Sequence, residues 1–169
     1  MNKNYKIFVL LFAALFLIGC SSTNKLVKKA KQLNCGKPIE FIYDRQSDIV
    51  KLELIEQVHG DYRIPNYESE FRYVISEFDK NSNSDIKVNN GFGFQHDSII
   101  YVNTRIERIV MKFGDLKTTL ETDINFKLKH NEIRITGIHS GHWEISTNVM
   151  FRKTLIDAVH QFLQMNCDY

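Results

Sequence analysis

The chain has 169 residues, 43% apolar and 25% charged, the composition of an ordinary folded domain and not of a disordered or collagen-like one. Residues 1–19 read as an export signal, and removing them takes away two of the 22 basic side chains, Lys3 and Lys6, and none of the 20 acidic ones. The mature chain is therefore neutral, which excludes the basic footprint that nucleic-acid binding requires.

Lys3 and Lys6 precede an unbroken apolar run of 12 residues, Ile7 to Ile18, followed by Gly19-Cys20. This is a positive n-region and an h-region. A helix of that length covers roughly 18 Å, short of the ~30 Å hydrocarbon core, so cleavage is expected in place of a permanent span. Leu17-Ile18-Gly19-Cys20 resembles the lipobox of bacterial lipoproteins. The resemblance implies that Cys20 carries a diacylglyceryl thioether and becomes the mature amino terminus. Two or three acyl chains hold a protein on a bilayer where one is marginal. Ser21 follows the cysteine, whereas an Asp there often marks inner-membrane retention in diderm bacteria, so the resemblance points to the outer membrane.

Residues 20–37 are expected as the lipidated Cys and a basic tether, with Lys25, Lys28, Lys29, Lys31 and Lys37 and no acidic side chain. Leu26, Ala30 and Leu33 fall at roughly helical spacing. Two readings fit: a short amphipathic helix beside the membrane, and a solvated spacer. Cys35 and Cys167 stand at the two ends of the folded region, and an even pair in an exported chain invites a disulfide.

Residues 38–169 read as a single domain. Ile39 to Asp44 and Ile49 to Val58 are β-type, the second alternating Val50, Leu52 and Leu54 against Lys51 and Glu53. Tyr67, Phe71, Val74, Ile75 and Phe78 recur at helical spacing behind Asn66, a candidate cap. A polar turn leads to a short strand at Asp85 to Asn89, and Asn90 to Asp97 forms another turn. Ser98 to Phe113 places Ile100, Val102, Thr104, Ile106 and Val110 on one face. Leu116 to Leu128 alternates almost without interruption, the pattern of an antiparallel strand with one wet face. Glu132 to Ile138 continues the meander, with an extension at His142 to Ser146. Asn148 to Met165 closes the chain as a helix with Phe151, Leu155, Val159 and Phe162 on one stripe. This order predicts an α+β two-layer sandwich: a mostly antiparallel sheet of five to seven strands with two helices packed on one face. Trp143 is expected to pack against the last helix.

Catalytic signals are weak. His139 and His142 with Glu144 form a suggestive cluster, but a zinc site needs three or four ligands and no cysteine pair or HExxH helix completes it. Two exposed histidines in a turn are the expectation, with no metal. Asn90-Gly91-Phe92-Gly93-Phe94 lacks the helix and Lys of a phosphate cradle, and reads as a hairpin loop whose Phe92 and Phe94 could form a partner-contact patch. No GxSxG elbow is present, and Cys35 and Cys167 are far in sequence from the histidines. Glu107, Glu121 and Asp123 are read as cross-strand ion-pair members near Lys117 and Arg105 rather than as an acid/base pair.

A lipobox followed by a small sheet, with one helix inserted after the early strands and one at the end, is similar to the YajG-like, LptE-like and curli-secretion-type envelope lipoproteins. The resemblance implies a non-enzymatic, lipid-anchored accessory module facing the periplasm, with the membrane and an envelope protein as partners and no cofactor. The alternatives are a carrier of a lipid or small apolar ligand held between sheet and helices, and, more remotely, a hydrolase of envelope polymer.

Overall fold

The computed structural model describes residues 23–56, 62–64, 66–89, 96–142 and 146–167. The signal, Cys20, Phe92, Phe94 and Trp143 lie outside the described residues. The elements are β1 (Ile39–Tyr43), β2 (Leu52–Ile55), β3 (Ile86–Asn89), β4 (Ile100–Phe113), β5 (Thr118–Lys127) and β6 (Glu132–Gly141), with helices α1 (Thr23–Lys29), α2 (Tyr67–Asn81) and α3 (Thr147–Asn166). The strands form one open six-stranded sheet in the order β3-β1-β4-β5-β6, and β2 also pairs with β4. Helices α2 and α3 cover one face, which gives the two layers of an α+β fold.

The β4–β5–β6 meander is antiparallel, as its alternation requires. Shorter parallel pairings complete the sheet beside this antiparallel part: β1 pairs in parallel with both β3 and β4, and β2 in parallel with β4. β1 and β2 lie one after the other along the same edge of β4, opposite Ile100–Thr104 and Ile109–Lys112 respectively. Between them Arg45–Ile49 forms a 3₁₀ turn capped by Asp44, whose carboxylate accepts from Gln46 N–H. The turn inserts the buried Ser47, whose hydroxyl accepts from Ile106 N–H at 2.9 Å, so β4 keeps a hydrogen bond where no strand lies beside it.

Opposite that break β4 carries a bulge at Glu107, where the register with β5 shifts by one. A bulge reverses the inward face. Val102, Thr104 and Ile106 point to the helices before it, whereas Ile109 and Met111 belong to the core after it. Val110, expected inward, has the opposite parity. In β5 the inward set is Thr118, Leu120, Thr122, Ile124 and Phe126, as the alternation predicts, while Leu116 sits exposed in the preceding turn.

All five predicted apolar positions of α2 are buried, and Asn66 caps the helix by accepting from Ser69 N–H at 2.8 Å. The space between the layers is filled by Phe41, Phe71, Phe78, Phe126, Phe151 and Phe162, all fully buried. Phe41 meets Phe71, Phe126 and Phe162 edge-on, and Phe126 stacks on Phe162 with ring centroids 4.6 Å apart. Each such side chain contributes about 1.5–3 kcal/mol on burial, more than any exposed ion pair of the wet face, at about 0–1 kcal/mol. Arg152 of α3 ties the helices together, donating to both oxygens of Glu70 at 2.7 and 3.1 Å while its guanidinium lies 4.1 Å over the Tyr73 ring.

The domain begins before residue 38. Val27, Ala30 and Leu33 are buried in the main core, and α1 packs against both α2 and α3. The segment from Thr23 is thus part of the fold and not a tether, because one side of this short helix is apolar enough to complete the helical layer. This also widens the buried surface of α3 beyond its predicted stripe, to include Met150, Thr154, Ile156, Ala158, His160 and Leu163. Ser84 and Asn83, just after α2, hold the end of this segment: Cys35 N–H donates to Ser84 Oγ, and Asn83 Nδ2 donates to the Lys31 carbonyl. Cys35 and Cys167 are joined by a disulfide.

Gly137 in β6 lies directly beneath α3. A Cβ there would stand 2.0 Å from the Thr154 carbonyl oxygen. The Thr154 hydroxyl in turn hydrogen-bonds Thr122, the residue opposite Gly137, at 2.7 Å. Gly137→Ala is therefore expected to lift the helix, costing about 1–3 kcal/mol by overpacking and lowering Tm by several degrees in a thermal melt. An unchanged Tm would contradict this close approach.

Candidate functional site

An open cleft of about 710 Å³ lies at the end of the sheet nearest the disulfide. Three segments distant in sequence build it. Ile100, Tyr101 and Asn103 come from the start of β4, and Ile99 stands just before it. Lys127 ends β5, and Leu128–Asn131 turn into β6. His96 and Asp97 precede β4, and Asn166 ends α3. The β5–β6 turn is closed by Leu128 N–H donating to the Asn131 carbonyl at 2.8 Å. That bond presents Lys129 and His130 to solvent.

The lining is amphipathic. Ile99, Ile100, Tyr101 and Leu128 are half-buried and form an apolar shelf, while Lys127, Lys129, His96 and His130 are exposed around it. Asp97 is the one carboxylate among the lining residues, and its backbone carbonyl accepts from Lys37 Nζ at 3.1 Å. His96 is fixed on both sides: its N–H donates to the Tyr101 hydroxyl at 3.2 Å, and Nδ1 lies 3.0 Å from Ser98 Oγ. A cationic rim around an apolar shelf suits an acidic, partly apolar partner segment. The sequence placed a contact surface at Phe92 and Phe94, outside the described residues. The cleft itself begins at His96, at the other end of that loop.

The other candidates separate. His139 and His142 do not sit together in a turn, because β6 runs on to Gly141. His139 is half-buried on the helix side of that strand, and His142 is exposed just beyond its end. Ser140 and Gly141 look like turn residues, yet here they are strand residues. Among the described residues no three His, Cys, Asp or Glu side chains gather as a metal site. Glu121, Glu107 and Asp123 are each engaged separately, with Lys112 at 2.5 Å, Arg134 at 3.5 Å and the Thr136 hydroxyl at 2.6 Å. The cross-strand pairing is as read from sequence, but the cations are Lys112 and Arg134 rather than Lys117 and Arg105. Cys35 and Cys167 are consumed by the disulfide.

No protein-family model matches the sequence, and none of the curated proteins matches it. Among solved structures, the chain is similar to a Xanthomonas campestris protein of family DUF330, at 10% identity over 79% of this chain and 82% of that one, with a TM-score of 0.40. It is also similar to an uncharacterized protein at 8% identity over 75% and 85% of the two chains, with a TM-score of 0.35. Likenesses at this level carry no inference about function. The resemblance to YajG-like, LptE-like and curli-secretion-type lipoproteins thus rests on the lipobox and the order of elements.

Two histidines away from the cleft, His160 buried and His139 half-buried, are expected to make stability depend on pH. Burial, and secondarily Lys153, lowers the pKa of His139. Burial, and secondarily Lys29, lowers that of His160, whose Nε2 has no hydrogen-bond partner. Asp157 opposes both shifts without overcoming them. A histidine with a depressed folded-state pKa contributes stability that is full above the unfolded value of about 6.5 and is lost as pH falls through the folded one. Tm should therefore fall between pH 7.5 and pH 5, and His139→Gln should reduce that fall. A wild-type Tm that does not change over this range would contradict the neutral buried imidazoles.

Proposed function

We propose that this protein is an exported, lipid-anchored envelope protein, held by Cys20, that binds another envelope component through the cleft at the disulfide end and catalyses no reaction. The observation that carries export is the Cys35–Cys167 disulfide in a domain that follows a lipobox. Such bonds form and persist in oxidising compartments and are rare in the cytosol. Ser21 after Cys20 favours the outer membrane, with the domain in the periplasm. No helix among the described residues is long and apolar enough to cross a membrane, so a lipid on Cys20 is the means of attachment this reading uses.

The choice of a binding module over a carrier follows from packing. A lipid held between sheet and helices would need the space that the six buried phenylalanines fill. The cleft, by contrast, is open and combines an apolar shelf with Lys127, Lys129 and His130. Aromatic and apolar anchors surrounded by charged rims are the usual anatomy of protein interfaces.

Two experiments test the reading. Cys20→Ala should leave an unprocessed precursor that incorporates no labelled palmitate, and unchanged processing and labelling would overturn the lipid anchor. A photo-crosslinking amino acid at Lys129 should give one discrete adduct in intact cells, and the same probe at Lys51, on the exposed approach to β2, should give none. Adducts at both positions, or at neither, would remove the cleft as the partner surface.

A further inference from the structure

The burial of α1 leaves one face of this helix without a role in the fold. Val27, Ala30 and Leu33 point into the core, and Leu26 packs against it. Lys25, Lys28 and Lys29 lie on the other side at i, i+3 and i+4 spacing, with Lys31 following, and all four are exposed. Elsewhere Lys80, Lys87 and Lys112 pair with Glu77, Asp85 and Glu121. Among the described residues none of these four ammonium groups has a carboxylate partner, and residues 21–37 contain no acid. Like charges at helical spacing repel one another, so the helix carries them at a cost that its own packing offsets.

Chain length determines what can meet this face. α1 begins three residues after Cys20 and Lys25 stands five residues after it, a reach of at most about 17 Å. If Cys20 sits in a bilayer, the lysine face is held beside the headgroups whatever the domain's other contacts. A tether ending at residue 37 would have allowed the domain to stand far from the membrane; a fold beginning at Thr23 does not.

We propose that the lysine face of α1, made of Lys25, Lys28, Lys29 and Lys31, is a docking surface for anionic phospholipid and orients the domain on the membrane to which Cys20 attaches it. This rests on the lipid-anchored reading of Cys20. The apolar side of α1 is spent on the core, so the contact is electrostatic and lies on the headgroups without insertion.

The test uses the mature chain from residue 20, which holds every described element of the fold, with Cys20→Ala so that no acyl chain contributes to binding. The probe is co-sedimentation with phosphatidylcholine vesicles containing 30 mol% phosphatidylglycerol. Each lysine near an anionic surface contributes roughly fivefold to partitioning, so Lys25→Gln, Lys28→Gln and Lys29→Gln together should weaken binding by at least about tenfold. Binding should fall as salt shortens the Debye length, and should be lost on pure phosphatidylcholine. The control triple Lys51→Gln, Arg105→Gln and Lys117→Gln removes the same charge from exposed sites elsewhere and should change binding less than threefold. Thermal melts of both triples should be no lower than the parent's, because the substituted side chains are exposed and the α1 triple relieves like-charge repulsion.

Equal weakening by the two triples, or no dependence on phosphatidylglycerol, overturns the docking surface. Neither outcome bears on lipidation, which palmitate labelling reads separately. Conversely, an unlabelled Cys20 with intact salt-dependent vesicle binding would remove the anchor and leave the surface standing.

Discussion

Helix α3 lies so close to β6 that the strand has no room for a side chain at residue 137, and the geometry of the whole molecule is measured from that contact. With the helix backbone at this height, Thr154 reaches Thr122 across the gap, and Asp157 reaches round the edge of the sheet to accept from Ile138 N–H at 3.0 Å. The 20-residue helix spans roughly 30 Å, so its placement also decides what happens at both ends. Arg152 near its start clamps α2 through Glu70, and Cys167 at its end meets Cys35. The phenylalanine layer fills the volume that these contacts define.

The same seating protects the molecule from itself. β6 is an edge strand, and an exposed edge invites pairing with another chain. Asp157 occupies one of its outward-pointing N–H groups, and α3 lies along it. At β4 the equivalent problem is met by a different device, the Ser47 hydroxyl at the break between β1 and β2. The two surfaces proposed for contacts, the cleft at the disulfide end and the lysine face of α1, take no part in this capping.

Much of this was legible in the sequence where the information is local. The alternation of β5, the five apolar positions and Asn66 cap of α2, and the central stripe of α3 each follow from the period of one segment. What was not legible depends on distant partners. β1 and β2 read as strands, but nothing in them announces parallel pairing to one edge of β4. The bulge at Glu107 reverses the face of β4 without a glycine to mark it. Gly137 reads as an ordinary strand residue, and only the neighbouring helix explains why no side chain fits there. α1 offers three apolar positions in a lysine-rich stretch, too few to distinguish a folded helix from a spacer. The cleft was invisible for the same reason, since its walls come from residues 96–103, 127–131 and 166.

The disulfide links residues 132 positions apart, and this sets an order of events. β1 lies inside the sheet between β3 and β4 and is made early, whereas the helix that covers the core and the cysteine that closes it come last. The core stays uncovered on its helix side until α3 has been made, and the disulfide can close only after it. One covalent bond then holds the segment before β1 to the end of the last described helix.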